Sequence, residues 1–222
     1  MRILVVGAGA IGGYFGGRLH QAGRDVTFLV RPKRASELAS NGLVIKSPSG
    51  DVTLKNPPTV QADRLSEKFD AVLLSCKAFD LEDAIKSFAP AVGPNTAIIP
   101  LLNGMLHLDV LDRKFGPERV LGGLCAIAAT LNEAREVVQL GPLQSLGFGE
   151  RNGAISDRVR AVADAFAPGN FGSAASEHIM KSDIGLAAAQ PVDQVVGKRC
   201  RRRRRPSPDR THQVRRACGR PR

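Results

Sequence analysis

The sequence predicts an α/β fold built on a doubly wound, mostly parallel sheet of the Rossmann type. Three features support this prediction. The chain opens with Arg2–Val6, a short apolar run typical of a strand covered on both faces. A glycine-rich turn and a helical pattern follow that run at once. Further apolar runs then alternate with helical segments to about residue 167.

The glycine-rich turn reads GAGAIG and carries the spacing G-x-G-x-x-G between two predicted strands. The helix after it has Phe15 and Leu19 at helical spacing and closes at Gly23, and Asp25–Val30 reads as the second strand. In this context the glycines permit a tight turn and a close approach of backbone to a pyrophosphate. The alternative is a plain glycine turn in another α/β fold. The predicted nucleotide-binding residues here are Gly7, Ala8, Gly9, Ala10, Ile11 and Gly12.

The residue that follows the second predicted strand indicates whether the site favours NAD or NADP. A site for NAD usually has Asp or Glu there to accept from the ribose 2′-OH, whereas this chain has Arg31, followed by Pro32, Lys33 and Arg34. Because an arginine can hold a 2′-phosphate, Arg31 favours NADP(H). The alternative interpretation is a solvated basic turn before the next helix.

Later segments continue the alternation. Ala71–Ser75 and Thr96–Leu102 read as buried strands, and Lys77 and Asn103 follow them, so both side chains are expected at the nucleotide edge of the sheet. A lysine opening a helix can also be merely solvated, and Asn-Gly is an ordinary turn signal. The helix between the two strands is expected to place Phe79, Ala84, Ile85 and Phe88 on one apolar face.

The last predicted elements of the body are an antiparallel pair and a helix. Val137–Leu140 and Gln144–Phe148 read as two paired strands joined through Gly141-Pro142, and Ser156 as the N-cap of a helix that ends near residue 167. We therefore expect a nucleotide-binding domain over 1–167, a remnant of a linker and second domain over 168–197, and an Arg-rich tail over 198–222.

Charge and composition restrict which other classes of protein the chain can belong to. The chain carries a formal net charge of +11, and Lys198 with eleven arginines and one acid in 198–222 accounts for all of it. The body is therefore neutral overall, and the basic balance says little about its partners. The four cysteines form no C-x-x-C pair, which argues against a zinc site, and no apolar run is long enough for a membrane span or a secretion signal. We expect a cytoplasmic protein that binds no metal.

The runs GAGAIGGYFGGRL, CKAFD, LLNGM, LGGLCAIAAT and LGFGE together resemble the ketopantoate reductase (2-dehydropantoate 2-reductase) family from Met1 to about Met180. The resemblance implies NADPH-dependent reduction of ketopantoate, a small 2-oxo acid, to pantoate on the way to pantothenate and coenzyme A. It also implies that Lys77 contacts the cofactor, that Asn103 lies near both nicotinamide and substrate, and that Ala128 lines the cofactor. An all-helical C-terminal domain would complete the cleft.

The chain departs from the family pattern after Met180. The family carries a W-x-K pattern there, whose lysine donates a proton to the substrate oxygen, but this chain has no Trp, and Leu186 stands where the lysine is expected. Lys181 is nearby but outside the pattern, so no general-acid lysine is found. The C-terminal helical domain is expected to be largely missing, and a reading-frame shift near Met180 is our hypothesis for the Arg- and Pro-rich ending.

Two other functions stay open at this point. The chain can be a nucleotide-binding module without turnover, because the proton donor is not found. Alternatively, its tail can bind a polyanion, although without an aromatic residue the tail is not expected to recognise a specific nucleic acid. The sequence predicts no oligomeric state.

Overall fold

A computed structural model of the chain describes residues 1–181. Leu186, the Arg-rich tail and the greater part of the predicted linker lie outside the described residues. The first sheet has five strands, namely β1 (Arg2–Val6), β2 (Asp25–Leu29), β5 (Thr59–Val60), β6 (Phe69–Leu74) and β7 (Val92–Pro100). The described helices are α1 (Ala10–Gln21), α2 (Pro32–Asn41), α3 (Leu81–Phe88), α4 (Leu106–Phe115) and α5 (Asp157–Phe166).

The five strands are parallel and lie in the order β5-β2-β1-β6-β7. The chain therefore builds outward from β1 in one direction, then returns to the other side of β1 with β6. This reversal is the topological switch point at which doubly wound sheets bind ligands, beyond the carboxyl ends of the strands. The predicted fold class is confirmed.

Both faces of this sheet are buried. Alternate residues of the central strands belong to two separate cores, as a strand period of two requires. On one face Leu4 and Val72 share a core with Ile85 of α3 and Leu108 of α4. On the other face the core also includes residues of α1, α5 and a second sheet.

The second sheet was not predicted from the sequence. It contains β3 (Leu43–Lys46), β4 (Val52–Leu54), β8 (Gly122–Leu131), β9 (Val137–Gly149) and β10 (Gly172–Ala175). Strand β9 is its centre, since it pairs antiparallel with β8 and parallel with β3 and β10.

Helix α1 lies between the two sheets, and its glycines make the close packing possible. A Cβ on Gly16 would lie 2.7 Å from a ring carbon of Phe28 in β2. On the opposite side, a Cβ on Gly17 would lie 2.7 Å from Cδ1 of Ile45 in β3. Larger residues at these positions would push the sheets apart, which explains glycines that the nucleotide pattern alone leaves unexplained.

The predicted hairpin within residues 137–148 is wrong, because both halves belong to the single strand β9 and pair with β8. Ile127 and Ala129 of β8 are two residues apart, whereas their partners in β9, Gln144 and Gln139, are five residues apart. The extra residues of β9 therefore form a bulge. The Gln139 side-chain amide donates to the Gly141 carbonyl at 2.6 Å within that bulge. The Gly141-Pro142 turn signal therefore marks a bulge within β9.

Three smaller predictions have clear outcomes. Ser156 caps α5, since its hydroxyl accepts from the Val159 amide at 3.3 Å, as predicted. Gly23 follows α1 with a φ of 75°, also as predicted. Phe79 is not in the core: it precedes α3 in a 3₁₀ turn and is 82% exposed, whereas Ile85 and Phe88 are buried. The helices described between residues 1 and 181 include none with both the length and the hydropathy of a membrane-spanning segment.

Candidate functional site

The predicted glycine turn joins β1 to α1 at the switch point. Gly7 follows the last residue of β1 with a φ of 94°, and its amide donates to the Leu29 carbonyl at the end of β2 at 2.9 Å. Ala8 and Gly9 complete the turn, and Ala10, Ile11 and Gly12 form the first turn of α1. The positive φ explains glycine at position 7.

Gly9 and Gly12 face different surroundings. A Cβ on Gly12 would lie 2.1 Å from the Gly7 carbonyl oxygen and 2.2 Å from Ser75 Oγ, so only glycine fits there. A Cβ on Gly9 would meet nothing within 4 Å. Gly12 therefore serves the packing of helix on sheet, whereas Gly9 leaves open space over the turn.

The start of α1 fits an anion. Gly9 is the N-cap and provides no side-chain cap, so the first amides of the helix have no partner from that residue. Together with the positive end of the helix dipole, these amides suit a phosphate group. The turn has no acidic residue, and the first turn of α1 has none either. The residues present thus fit the pyrophosphate of a dinucleotide.

Arg31 lies at the end of β2, where the sequence predicted selection of the nucleotide. Its side chain is 74% exposed, and its NH2 group lies 2.8 Å from Oδ1 of Asp80. The hydrogen bond from Arg31 to Asp80 raises the pKa of the arginine further. Arg31 is therefore a charged, accessible group with one carboxylate partner.

Arg34 belongs to the basic run after the second predicted strand and was assigned no role of its own, yet it contacts the glycine turn directly. Its Nε donates to the Ala8 carbonyl at 3.0 Å, and its NH1 pairs with Glu37 at 3.0 Å. Glu37 also binds Arg135, and these two arginines lower the pKa of its carboxyl. The Arg34 NH2 atom is buried without a hydrogen-bond partner. The i, i+3 spacing to Glu37 was the sequence signal for this arrangement.

Ser75 and Lys77 follow β6, the strand beside β1. The Ser75 hydroxyl donates to the Val6 carbonyl at 2.9 Å and so fastens the two strand ends at the switch point. Lys77 is exposed, and its ammonium lies 5.8 Å from the centre of the Phe79 ring. Cys76 between them is half-buried, and burial raises the pKa of its thiol to about 11.

Asn103 follows β7 and is exposed at the same edge of the sheet. The carboxyl ends of β6 and β7 lie side by side, since the Leu101 amide donates to the Leu74 carbonyl at 2.8 Å. Gly104 has a φ of 83°, which explains the glycine of the Asn-Gly turn. His107 in α4 is buried, and this burial lowers the pKa of its imidazole.

Ala128 belongs to the second sheet. It is exposed in β8, between Ile127 and Ala129, where the pairing with β9 changes register. The segment just before β8 lies beside β7. Val120 forms a parallel bridge to Ile98, and the Leu121 amide donates to the Ile98 carbonyl at 2.9 Å.

Lys181 is the last described residue and is exposed. Its amide donates to the His178 carbonyl at 2.9 Å, and with Arg151 and Glu177 it lines a surface depression. None of the predicted nucleotide-binding residues lines that depression.

The sequence profile of the family described as Ketopantoate reductase PanE/ApbA matches residues 3–153. An uncharacterized oxidoreductase of Bacillus subtilis, YkpB, is 42% identical over 181 residues, which cover 82% of this chain and 59% of that protein. A 2-dehydropantoate 2-reductase of Mesorhizobium japonicum is 25% identical over 223 residues, covering 89% of this chain and 68% of that protein.

Solved structures agree with the fold. A 2-dehydropantoate 2-reductase of Geobacter metallireducens superposes with a TM-score of 0.73 at 32% identity, covering 80% of this chain and 58% of that one. A D-mandelate dehydrogenase, solved with NADH and anilino(oxo)acetate, superposes with a TM-score of 0.72 at 25% identity, over 82% of this chain and 59% of that one. The chain thus spans less than two thirds of several of these relatives. Its profile match over residues 3–153 confirms the resemblance predicted from the sequence, and the chain belongs to the ketopantoate reductase PanE/ApbA family of oxidoreductases.

Proposed function

We propose that this chain binds NADPH and takes part in the reduction of a small 2-oxo acid, ketopantoate, to pantoate. The observation that carries the proposal is the juxtaposition at the switch point of an open glycine turn and the exposed guanidinium of Arg31. The two features match the two parts of NADPH that distinguish it from other ligands, a pyrophosphate and a 2′-phosphate. Membership of the family supports the reaction type.

The proposed roles follow from position. Gly7–Gly12 would hold the pyrophosphate, Arg31 the 2′-phosphate, and Lys77 the cofactor at the end of β6. Bound NADPH supplies the hydride. Asn103 would donate a hydrogen bond from its amide to the substrate oxygen, which becomes more negative as hydride reaches the carbonyl carbon. Ala128 would line the nicotinamide side, where a small side chain leaves room.

The proposal includes a cytoplasmic location, as expected for a step toward coenzyme A. It also includes the predicted nucleotide-binding domain over 1–167, to whose second sheet β10 (Gly172–Ala175) adds a further strand. Within residues 1–181, no three potential ligands cluster to hold a metal ion. The proposal assigns the positive charge near the phosphates to α1 and Arg31.

A second candidate is nucleotide binding without turnover. It is favoured by the proton-donor position, since Leu186 stands where the family pattern has lysine. Leucine cannot donate a proton to the developing alkoxide, and general acid catalysis typically contributes about 10²- to 10⁴-fold in rate. Lys181 is the lysine nearest to that position in the sequence.

One titration separates these candidates. The purified chain of residues 1–222 would be titrated with NADPH and with NADH, and binding would be followed by nicotinamide fluorescence. Ketopantoate would then be added while the absorbance of reduced nicotinamide is recorded. Binding followed by a fall in absorbance supports the reductase, and a Lys181→Met variant then tests whether Lys181 is the donor. Binding without a fall supports the module without turnover. Binding of neither nucleotide overturns both candidates.

A further inference from the structure

Arg31 and Asp80 form an ion pair across the mouth of the glycine turn. Arg31 follows β2 and Asp80 follows β6, and β1 lies between these two strands in the sheet. The 2.8 Å contact from Arg31 NH2 to Asp80 Oδ1 therefore spans the position where β1 ends and the glycine turn begins. Any ligand that reaches Arg31 from the turn also approaches the Asp80 carboxylate.

The pair leaves donors of Arg31 available. A guanidinium has five N–H groups, and only NH2 contacts Asp80. The Arg31 side chain is 74% exposed and the Asp80 side chain 32% exposed, so an incoming anion can reach both. A phosphate bound to the remaining donors would lie close to a second negative group.

We propose that Asp80 is a specificity-determining residue that weakens binding of the 2′-phosphorylated nucleotide and leaves the unphosphorylated one unaffected. This inference rests on the proposed function. A phosphate monoester carries about −1.5 to −2 charges near pH 7, and the carboxylate carries one, so the two repel each other over a few ångströms. A ribose hydroxyl is neutral, so the carboxylate does not repel it.

Asp80 has a second effect on Arg31, which opposes the repulsion of the phosphate and is smaller. Asp80 also orients Arg31, which on its own would favour phosphate binding. Ion pairs between exposed side chains contribute little free energy, however, because water screens them and because they restrict two mobile side chains. The repulsion involves a doubly charged group and therefore outweighs the orienting effect. The charge of Asp80 is accordingly expected to reduce the preference of the site for NADPH over NADH.

The test compares Asp80→Asn with the wild-type chain. Asparagine keeps the size of the side chain and its ability to accept from Arg31, but removes the charge. The dissociation constant for NADPH is expected to fall about tenfold, which corresponds to ~1.4 kcal/mol. The constant for NADH is expected to change by less than about twofold, because no charge on that ribose meets the carboxylate. Both constants come from the same fluorescence titration.

Asp83→Asn is the matched control. It removes the same charge from α3, but Asp83 pairs with Lys86 at 3.9 Å and acts on Arg31 only through charge at longer range. Its effect on the NADPH constant is expected to be less than about twofold, because solvent screens exposed charges. A second variant, Asp80→Ser, repeats the charge removal with a smaller side chain, and circular dichroism checks the fold of each variant.

The outcomes distinguish this inference from the proposed function. Wild-type chain that binds neither nucleotide overturns the proposed function and the inference together. Wild-type chain that binds NADPH, with an unchanged ratio of constants in both Asp80 variants, leaves the function standing and overturns the inference. Weaker NADPH binding in those variants also overturns it, since Asp80 would then act by orienting Arg31.

Discussion

Gly12 and Ser75 meet at the switch point without room for another atom. A Cβ built on Gly12 would lie 2.2 Å from Ser75 Oγ, and the Gly7 carbonyl oxygen would be 2.1 Å away. The Ser75 hydroxyl is held in place because it donates to the Val6 carbonyl at 2.9 Å. The start of α1 is thus fixed against the ends of β1 and β6, which determines where the helix amides point.

Gly12→Ala is expected to destabilise the fold. The added methyl group would overlap a backbone carbonyl, which cannot move away as a flexible side chain can, so α1 would have to shift from the sheet. Overpacking of this kind costs about 1–3 kcal/mol or more. Urea denaturation followed by circular dichroism measures the loss, and a variant as stable as wild type would contradict the packing described here.

Gly9→Ala is expected to fold normally and to bind nucleotide poorly. A Cβ at this position meets nothing within 4 Å, and its φ of −83° suits any residue. The methyl group would instead occupy the space over the turn, where a pyrophosphate must approach the backbone closely. The NADPH dissociation constant is expected to rise at least about tenfold, equivalent to ~1.4 kcal/mol.

Gly141→Ala provides the control for this variant. It also adds a methyl group where a Cβ meets nothing within 4 Å, but in the bulge of β9. NADPH binding should match that of wild type. Equal losses in both variants would show that the Gly9 effect does not come from the turn.

The first sheet was predictable because its signals are local. Apolar runs such as Arg2–Val6 report burial on both faces, and the glycine turn fixes the direction of the first crossover. These signals predicted four of the five strands, whereas the short edge strand β5 (Thr59–Val60) was not predicted. The positions of Gly7–Gly12, Arg31, Lys77 and Asn103 after strand ends were predictable for the same reason.

The second sheet was not predictable because its pairings join distant segments. Strand β9 pairs with β3, and the paired residues Ile45 and Val137 are separated by most of the domain. Gly141-Pro142 gave a strong local turn signal, but pairing of both halves of β9 with β8 overrode it. The Arg31–Asp80 pair was missed for a related reason, since it depends on two strand ends that are not adjacent.

Arg31→Gln is expected to weaken NADPH binding and to leave NADH binding almost unchanged. Glutamine keeps hydrogen-bonding ability but removes the charge that would meet a 2′-phosphate. A hydrogen bond to a charged group contributes about 1.5–3 kcal/mol, so the NADPH constant should rise roughly 10- to 100-fold. Lys33→Gln, an exposed cation two residues on, is the control and should change neither constant appreciably. Equal losses for both nucleotides would show that Arg31 does not discriminate between them.

Glu150 anchors the segment between β9 and α5. It accepts from Nε and NH2 of Arg158 at 2.7 and 2.6 Å, and from the Ser156 hydroxyl at 2.6 Å. These hydrogen bonds, with that from Arg158 the largest cause, lower the pKa of the Glu150 carboxyl below its ordinary value of 4.5. The carboxylate is therefore more stable in the folded chain than in the unfolded one.

Glu150→Gln is expected to reduce stability at neutral pH and to lose this effect in acid. Because the folded pKa is depressed, the wild-type contribution is complete above the unfolded value of 4.5 and disappears as the pH falls through the folded pKa. The pair is partly exposed, so the difference near pH 7 should be only about 1 kcal/mol. Urea denaturation at a series of pH values should show a constant difference in the free energy of unfolding between the two chains above about pH 6. This difference should shrink below the unfolded pKa.

Glu133→Gln, which removes an exposed carboxylate from the β8–β9 turn, should show no such difference from wild type. A difference for Glu150→Gln that persisted unchanged into strong acid would mean that its charge does not stabilise the fold.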